Sequence, residues 1–192
     1  METKNTKEIS LAIVFATLYA VGVIVLAPIS FNIFQVRVTD AMLPLSIIFG
    51  WPAIVGIAIG TIVSNFFGGL GPIDVVGGSI ANFLATLFAW KIGTRTIKGS
   101  WIYGIIAEII TVTIIVGSYL SYIFGMPLEI GLFGVLIGSV IAIGILGYVL
   151  LGVISRPFIT KTFKAYGLRV YGKKDKARIF INCIFHPFRY LA

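Results

Sequence analysis

The chain has very little charge and almost no side chains suited to metal or redox chemistry. Charged residues make up 11% of its 192 positions, where a soluble globular chain carries about 25%. It has one cysteine, Cys183, and one histidine, His186. That excludes an internal disulfide, a cysteine cluster and a histidine-based metal centre. No HExxH pair and no nucleophile elbow occurs, and the glycine-rich run at 68–74 (GGLGPID) lacks the Lys of a phosphate-binding loop. The expectation is a protein that is not an enzyme, needs no metal or cofactor, and cannot draw energy from a nucleotide by itself.

What the chain does have is apolar length. Hydrophobic residues are 58% of it and its mean hydropathy is +1.05. This predicts an all-α integral membrane protein with room for about six transmembrane helices of roughly 20 residues. The expected spans are 9–26, ended by Pro28; a short one at 40–50; 51–65; one from the Asp74 turn to about 90; 101–124; and 131–154. Lys4 and Lys7 before the first apolar run mimic a signal peptide, but the run is too long for one and reads as the first helix. Residues 1–157 form the expected six-helix domain and 158–192 a basic juxtamembrane tail. From Phe158 onward eight Lys/Arg face the single Asp175, so the excess behind the net charge of +8 suits anionic lipid better than nucleic acid.

Small residues recur at helical spacing. Ala12, Ala16 and Ala20 share one face of the first span, and Gly56, Gly60 and Ser64 one face of the third. Such rows let helices approach closely. Thr39 is the expected N-cap of the short second span, with Asp40 in its first turn.

Nearly all polar groups capable of specific work lie between residues 34 and 85: Arg37, Asp40, Asn65, Asp74 and Asn82. An ionisable group at membrane depth is costly and marks a functional site by default. Six spans place both termini on one side, and of fifteen Lys/Arg all but Arg37 fall there. That side is assigned to the cytoplasm. Arg37, Asp40, Asn65 and Asp74 then gather at the outer end, with Asn82 eight residues, roughly 12 Å, deeper than Asp74. Each has a plainer role: Arg37 pairing with Asp40, the asparagines as interhelical glue, Asp74 as a helix cap. Together they favour a polar ligand site. Phe31, Phe34, Phe66, Phe67, Tyr119 and Tyr122 could stack on a flat heterocycle or form an interfacial belt. Glu108 lies toward the cytoplasmic end of its span and could pair with another helix or stay uncharged.

The stretches FQVRVTD (34–40) and SNFFGGLGPIDVVGG (64–78) carry a resemblance to the QueT family of queuosine-precursor transporters, covering roughly residues 7–156. The family's first motif is usually Q-F-R-[IV]-S-E. Gln35, Arg37 and Val38 match it, whereas Val36, Thr39 and Asp40 are conservative departures. The resemblance implies a six-helix substrate-binding S-component of an energy-coupling-factor (ECF) transporter in a prokaryotic plasma membrane. It implies a small-molecule substrate of the 7-deazaguanine type, held by Arg37, Asp40, Asn65, Asp74, Asn82, Phe34 and Tyr119. It also implies partners: a transmembrane coupling subunit docked on Ala12, Ala16 and Ala20, and ABC ATPases. The alternatives are an S-component for another vitamin, or a self-sufficient ion-coupled carrier or pore using Glu108 and Asp74.

Overall fold

The computed structural model describes residues 2–30, 36–95 and 99–171. The expectations for Phe31, Phe34, Gln35 and the tail beyond Tyr171 lie outside the described residues. Among those described, every regular element is helical. Five helices are long and apolar enough to cross a membrane. They are α1 (Glu2–Val25), α2 (Trp51–Gly68), α3 (Pro72–Gly93), α4 (Ser100–Phe124) and α5 (Leu128–Ile154). A shorter helix, α6 (Pro157–Ala165), follows.

Neighbouring helices in sequence pack on one another, α1 on α2, α2 on α3, α3 on α4 and α4 on α5. The first pair is unusual in running parallel, because Gly56 sits on the Ala12 carbonyl and Gly60 on Ala16. Two parallel helices require the chain between them to return through or around the bundle. Val38–Phe49 makes that return. Thr39 lies against Gly22 near the end of α1, Pro44 against Gly147 of α5, and Ile47 against Gly93 at the end of α3.

The expected second span is therefore an inner segment of twelve residues. Its first eight, Val38–Leu45, are 3₁₀-helical and its last four, Ser46–Phe49, complete one α-turn. At about 2.0 Å per residue for the first part and 1.5 Å for the second, it reaches roughly 22 Å, some 4 Å more than an α-helix of equal length. From Leu43 to Gly50 every residue is buried. A run apolar on all sides, LPLSIIF, is what such a position requires. Thr39 is not the N-cap; the segment starts at Val38 behind an extended Arg37. Gly50 turns the chain sharply into α2 at φ +63°, where a Cβ would lie 2.6 Å from the Tyr171 ring.

The same segment packs against a π-helical stretch of α5, Val140–Gly147. A Cβ on Gly147 would come within 2.9 Å of Pro44, so the two non-α stretches meet backbone to ring. At the far end the chain after α5 folds beneath the bundle. The Tyr171 N–H donates to the Ile48 carbonyl at 2.8 Å, Phe163 meets Phe49 edge-on at 5.1 Å, and Arg169 lies 3.4 Å from Glu8.

The alanine row of α1, expected to dock a partner, is turned largely inward. Ala12 and Ala16 are half-buried with their backbones on α2, and Ala20 is buried. The outward face of α1 is instead Ile9, Ile13, Val14 and Leu18, each at least half exposed. Small residues permitted close approach as expected, but to a helix of the same chain.

Gly60 and Gly152 give a test of this packing. A Cβ on Gly60 would stand 2.7 Å from the Ala16 carbonyl, whereas one on Gly152 meets nothing within 4 Å. Gly60→Leu is expected to cost at least about 1–3 kcal/mol through overpacking, and Gly152→Leu to be close to neutral. Thermal unfolding of the two purified variants in detergent checks this.

Candidate functional site

The site begins where the chain enters the inner segment. Arg37 and Asp40 are buried there, and the Asp40 N–H donates to the Arg37 carbonyl at 2.9 Å. The Arg37 side chain turns toward the start of α3, with Nη2 3.6 Å from Asp74 Oδ1. Asp74 has no exposed surface. The Tyr119 hydroxyl, from the C-terminal part of α4, donates to the same oxygen at 2.8 Å. From α2, Asn65 Nδ2 donates to the Asp74 backbone carbonyl at 2.8 Å.

Gly77 and Gly78 make this convergence possible. A Cβ on Gly77 would lie 3.0 Å from the Tyr119 ring, and one on Gly78 would collide with the Asn65 amide. The glycine pair is thus explained by close approach of two side chains. Asp74 makes no capping hydrogen bond at the start of α3. Its carboxylate neutralises Arg37 instead.

A second set of bonds runs deeper. The Tyr19 hydroxyl on α1 donates to Asp40 Oδ1 at 2.5 Å. Asn82 on α3 donates one N–H to the Tyr19 hydroxyl and the other to Thr61 Oγ1, both at 2.8 Å. Thr61 in turn donates to the Ile57 carbonyl. Asn82 has thereby spent both donors, and only its carbonyl oxygen remains to offer.

Between these sets and α5 lies a narrow cavity with room for about one water molecule. Arg37, Asp40 and Asn82 form its polar side. Val112 and Val116 of α4, with Val135, Gly138 and Ser139 of α5, form the other. Of the expected residues, three line the cavity. Asn65, Asp74 and Tyr119 stand behind Arg37 and hold it. Asp74 Oδ2 and Asn65 Oδ1 are buried and make no hydrogen bond.

Phe66, Phe67 and Tyr122 do not stack over the cavity: they are 74%, 69% and 79% exposed, on the outside of the bundle. Glu108 is closer to the site than its position in the span suggested. It is fully buried, and Asp40 and Ser46 are its polar neighbours. The sequence reading passed over Tyr19, Thr61 and the supporting role of Gly77 and Gly78. A tyrosine midway along an otherwise apolar span was the available signal for the first, since a buried hydroxyl needs a partner.

Two substitutions separate these roles. Asp74→Asn leaves the buried Arg37 guanidinium facing a neutral amide, and breaking a buried pair from one side costs about 3–5 kcal/mol, less whatever Asp40 offsets. A capping role would make Asn nearly equivalent to Asp, so a wild-type melting temperature for Asp74→Asn refutes the pairing. Tyr19→Phe removes the donor to Asp40 and the acceptor of Asn82. Its expected cost is about 1–3 kcal/mol of stability, read by the same melting experiment.

Comparison with known proteins found no curated protein and no solved structure that matches. Residues 9–156 match the family described as QueT transporter, a span that includes all five long helices from the ninth residue on, the inner segment and every residue of the cavity. A bundle with an apolar exterior, enclosing a guanidinium, a carboxylate and an amide around one cavity, belongs to the QueT transporter family.

Proposed function

We propose that this chain is the substrate-capturing membrane subunit for uptake of a queuosine precursor of the 7-deazaguanine type. The observation that carries the reading is the cavity walled by Arg37, Asp40 and Asn82 on one side and by valines on the other, in a chain of a transporter family. A flat base offers ring N–H and amine donors beside a carbonyl acceptor. Asp40 accepts the N–H of the five-membered ring, Arg37 donates to the carbonyl, and the apolar wall covers the ring faces.

In this reading Val38–Phe49 counts as a sixth pass, giving an S-component of the ECF type. The end carrying Glu8, Lys161, Lys164 and Arg169 faces the cytoplasm, with both termini, and the cavity opens outward. Residues 1–157 are the substrate-binding domain, and the basic stretch 158–171 packs beneath it at the cytoplasmic end. Energy comes from separate ABC ATPases through a transmembrane coupling subunit. That subunit meets α1 along the half-buried Ala12–Ala16 edge and the exposed Ile13 and Leu18 beside it, without Ala20.

Binding of a 7-deazaguanine base to the purified chain, competed poorly by riboflavin, biotin or thiamine, is the expected result. Absence of binding to any such base overturns the reading. Liposomes containing the chain alone are expected to bind the base but not accumulate it. Accumulation without an ATPase would identify an autonomous carrier.

A further inference from the structure

Among the described residues, Glu108 is the buried acidic side chain that the network above does not use. It has no exposed surface, and neither carboxyl oxygen makes a hydrogen bond. The Ser46 hydroxyl is likewise buried and makes no hydrogen bond at full bonding distance, though it stands near enough to act on Glu108 as a weak donor. A buried polar group left in that condition is costly, and one with two open acceptor oxygens is open to a donor pair.

Its position points to the cavity. Glu108, Val112 and Val116 follow one another at four-residue spacing and share a face of α4. Val112 and Val116 line the cavity, and Glu108 lies one turn beyond them on the same helix face, just outside that lining. On the inner segment Asp40 and Ser46 are six residues apart, and residues three apart eclipse in a 3₁₀-helix. Asp40 lines the cavity, and both residues lie within electrostatic reach of Glu108.

We propose that Glu108, with Ser46, is the closed end of the binding cavity and selects ligands that present two N–H donors on one edge. Two parallel N–H groups match the two oxygens of a carboxylate. In a heterocycle of guanine type those donors are the ring N–H and the adjacent exocyclic amine. Asp40 and Glu108 make no hydrogen bond to one another, and Arg37 is drawn toward Asp74. The ligand supplies what the protein withholds. This rests on the reading of the chain as a binder of a 7-deazaguanine-type base, and it assigns the residue that distinguishes such a base from its close analogues.

The test compares two probes, 7-deazaguanine and 7-deazahypoxanthine, which lacks the exocyclic amine, by calorimetry on the full-length purified chain. Wild type is expected to prefer the amine-bearing base about ten- to a hundred-fold. Glu108→Gln, similar in shape, is expected to lose most of that preference by weakening the first probe while leaving the second nearly unchanged. Its melting temperature without ligand is expected to equal or exceed wild type, because an unmatched acidic group has been replaced. Ser46→Ala is expected to weaken the first probe several-fold. No binding of either probe by wild type overturns the transport reading and this assignment together. Equal wild-type affinities, or a preference that survives in Glu108→Gln, overturn the assignment alone. A Glu108→Gln protein that melts well below wild type marks Glu108 as a structural group and also overturns it.

Discussion

Two parallel helices at the start of the chain impose the constraint on which the other features depend. Because α1 and α2 lie side by side in the same direction, the chain between them has to pass back within the bundle. In an apolar surrounding that passage must satisfy its own backbone. It does so as a helix, stretched into the 3₁₀ form over most of its length so that twelve residues suffice. Buried throughout from Leu43 onward, the segment contacts all five long helices. It delivers polar side chains to the centre of the molecule. Asp40 and Ser46 are two of them, and Arg37 stands at its start.

The bundle inverts the usual soluble pattern. Large apolar side chains such as Ile13, Ile114 and Phe133 stand more than half exposed around its outside, a surface suited to lipid. Arg37, Asp40, Asn65, Asp74, Asn82 and Glu108 are buried within. A buried guanidinium is tolerated only near a compensating charge, and Asp74 and the groups bonded to it, to Asp40 and to Asn82 come from different helices. Asp74 comes from α3, Tyr119 from α4, Asn65 and Thr61 from α2, and Tyr19 from α1. The network therefore registers the helices against one another: turning any one of them about its axis strands a buried polar group. The same economy leaves a narrow cavity with Arg37, Asp40 and Asn82 on one side and residues of α4 and α5 on the other.

Composition by itself determined that the chain is a bundle of membrane helices, since so few charges and so much apolar length have no other stable arrangement. Glycine and proline at 68–72 marked the turn between α2 and α3, and the rarity of interior polar residues singled out Arg37, Asp40, Asn65, Asp74 and Asn82. These are local or additive properties, readable one window at a time. Tertiary structure decided which of them meet. Arg37, three residues from Asp40, was drawn to Asp74, thirty-seven positions away in sequence. Tyr19 and Thr61, each unremarkable in its own helix, became the links between Asp40 and Asn82. Small-residue rows announced close approach without naming the partner, so Ala12, Ala16 and Ala20 were equally compatible with another subunit and with α2. Hydropathy reports how deep a residue lies in a membrane and says nothing of the direction it faces around the helix. That direction is set by contacts between segments far apart in the chain, which exist only once the bundle has closed.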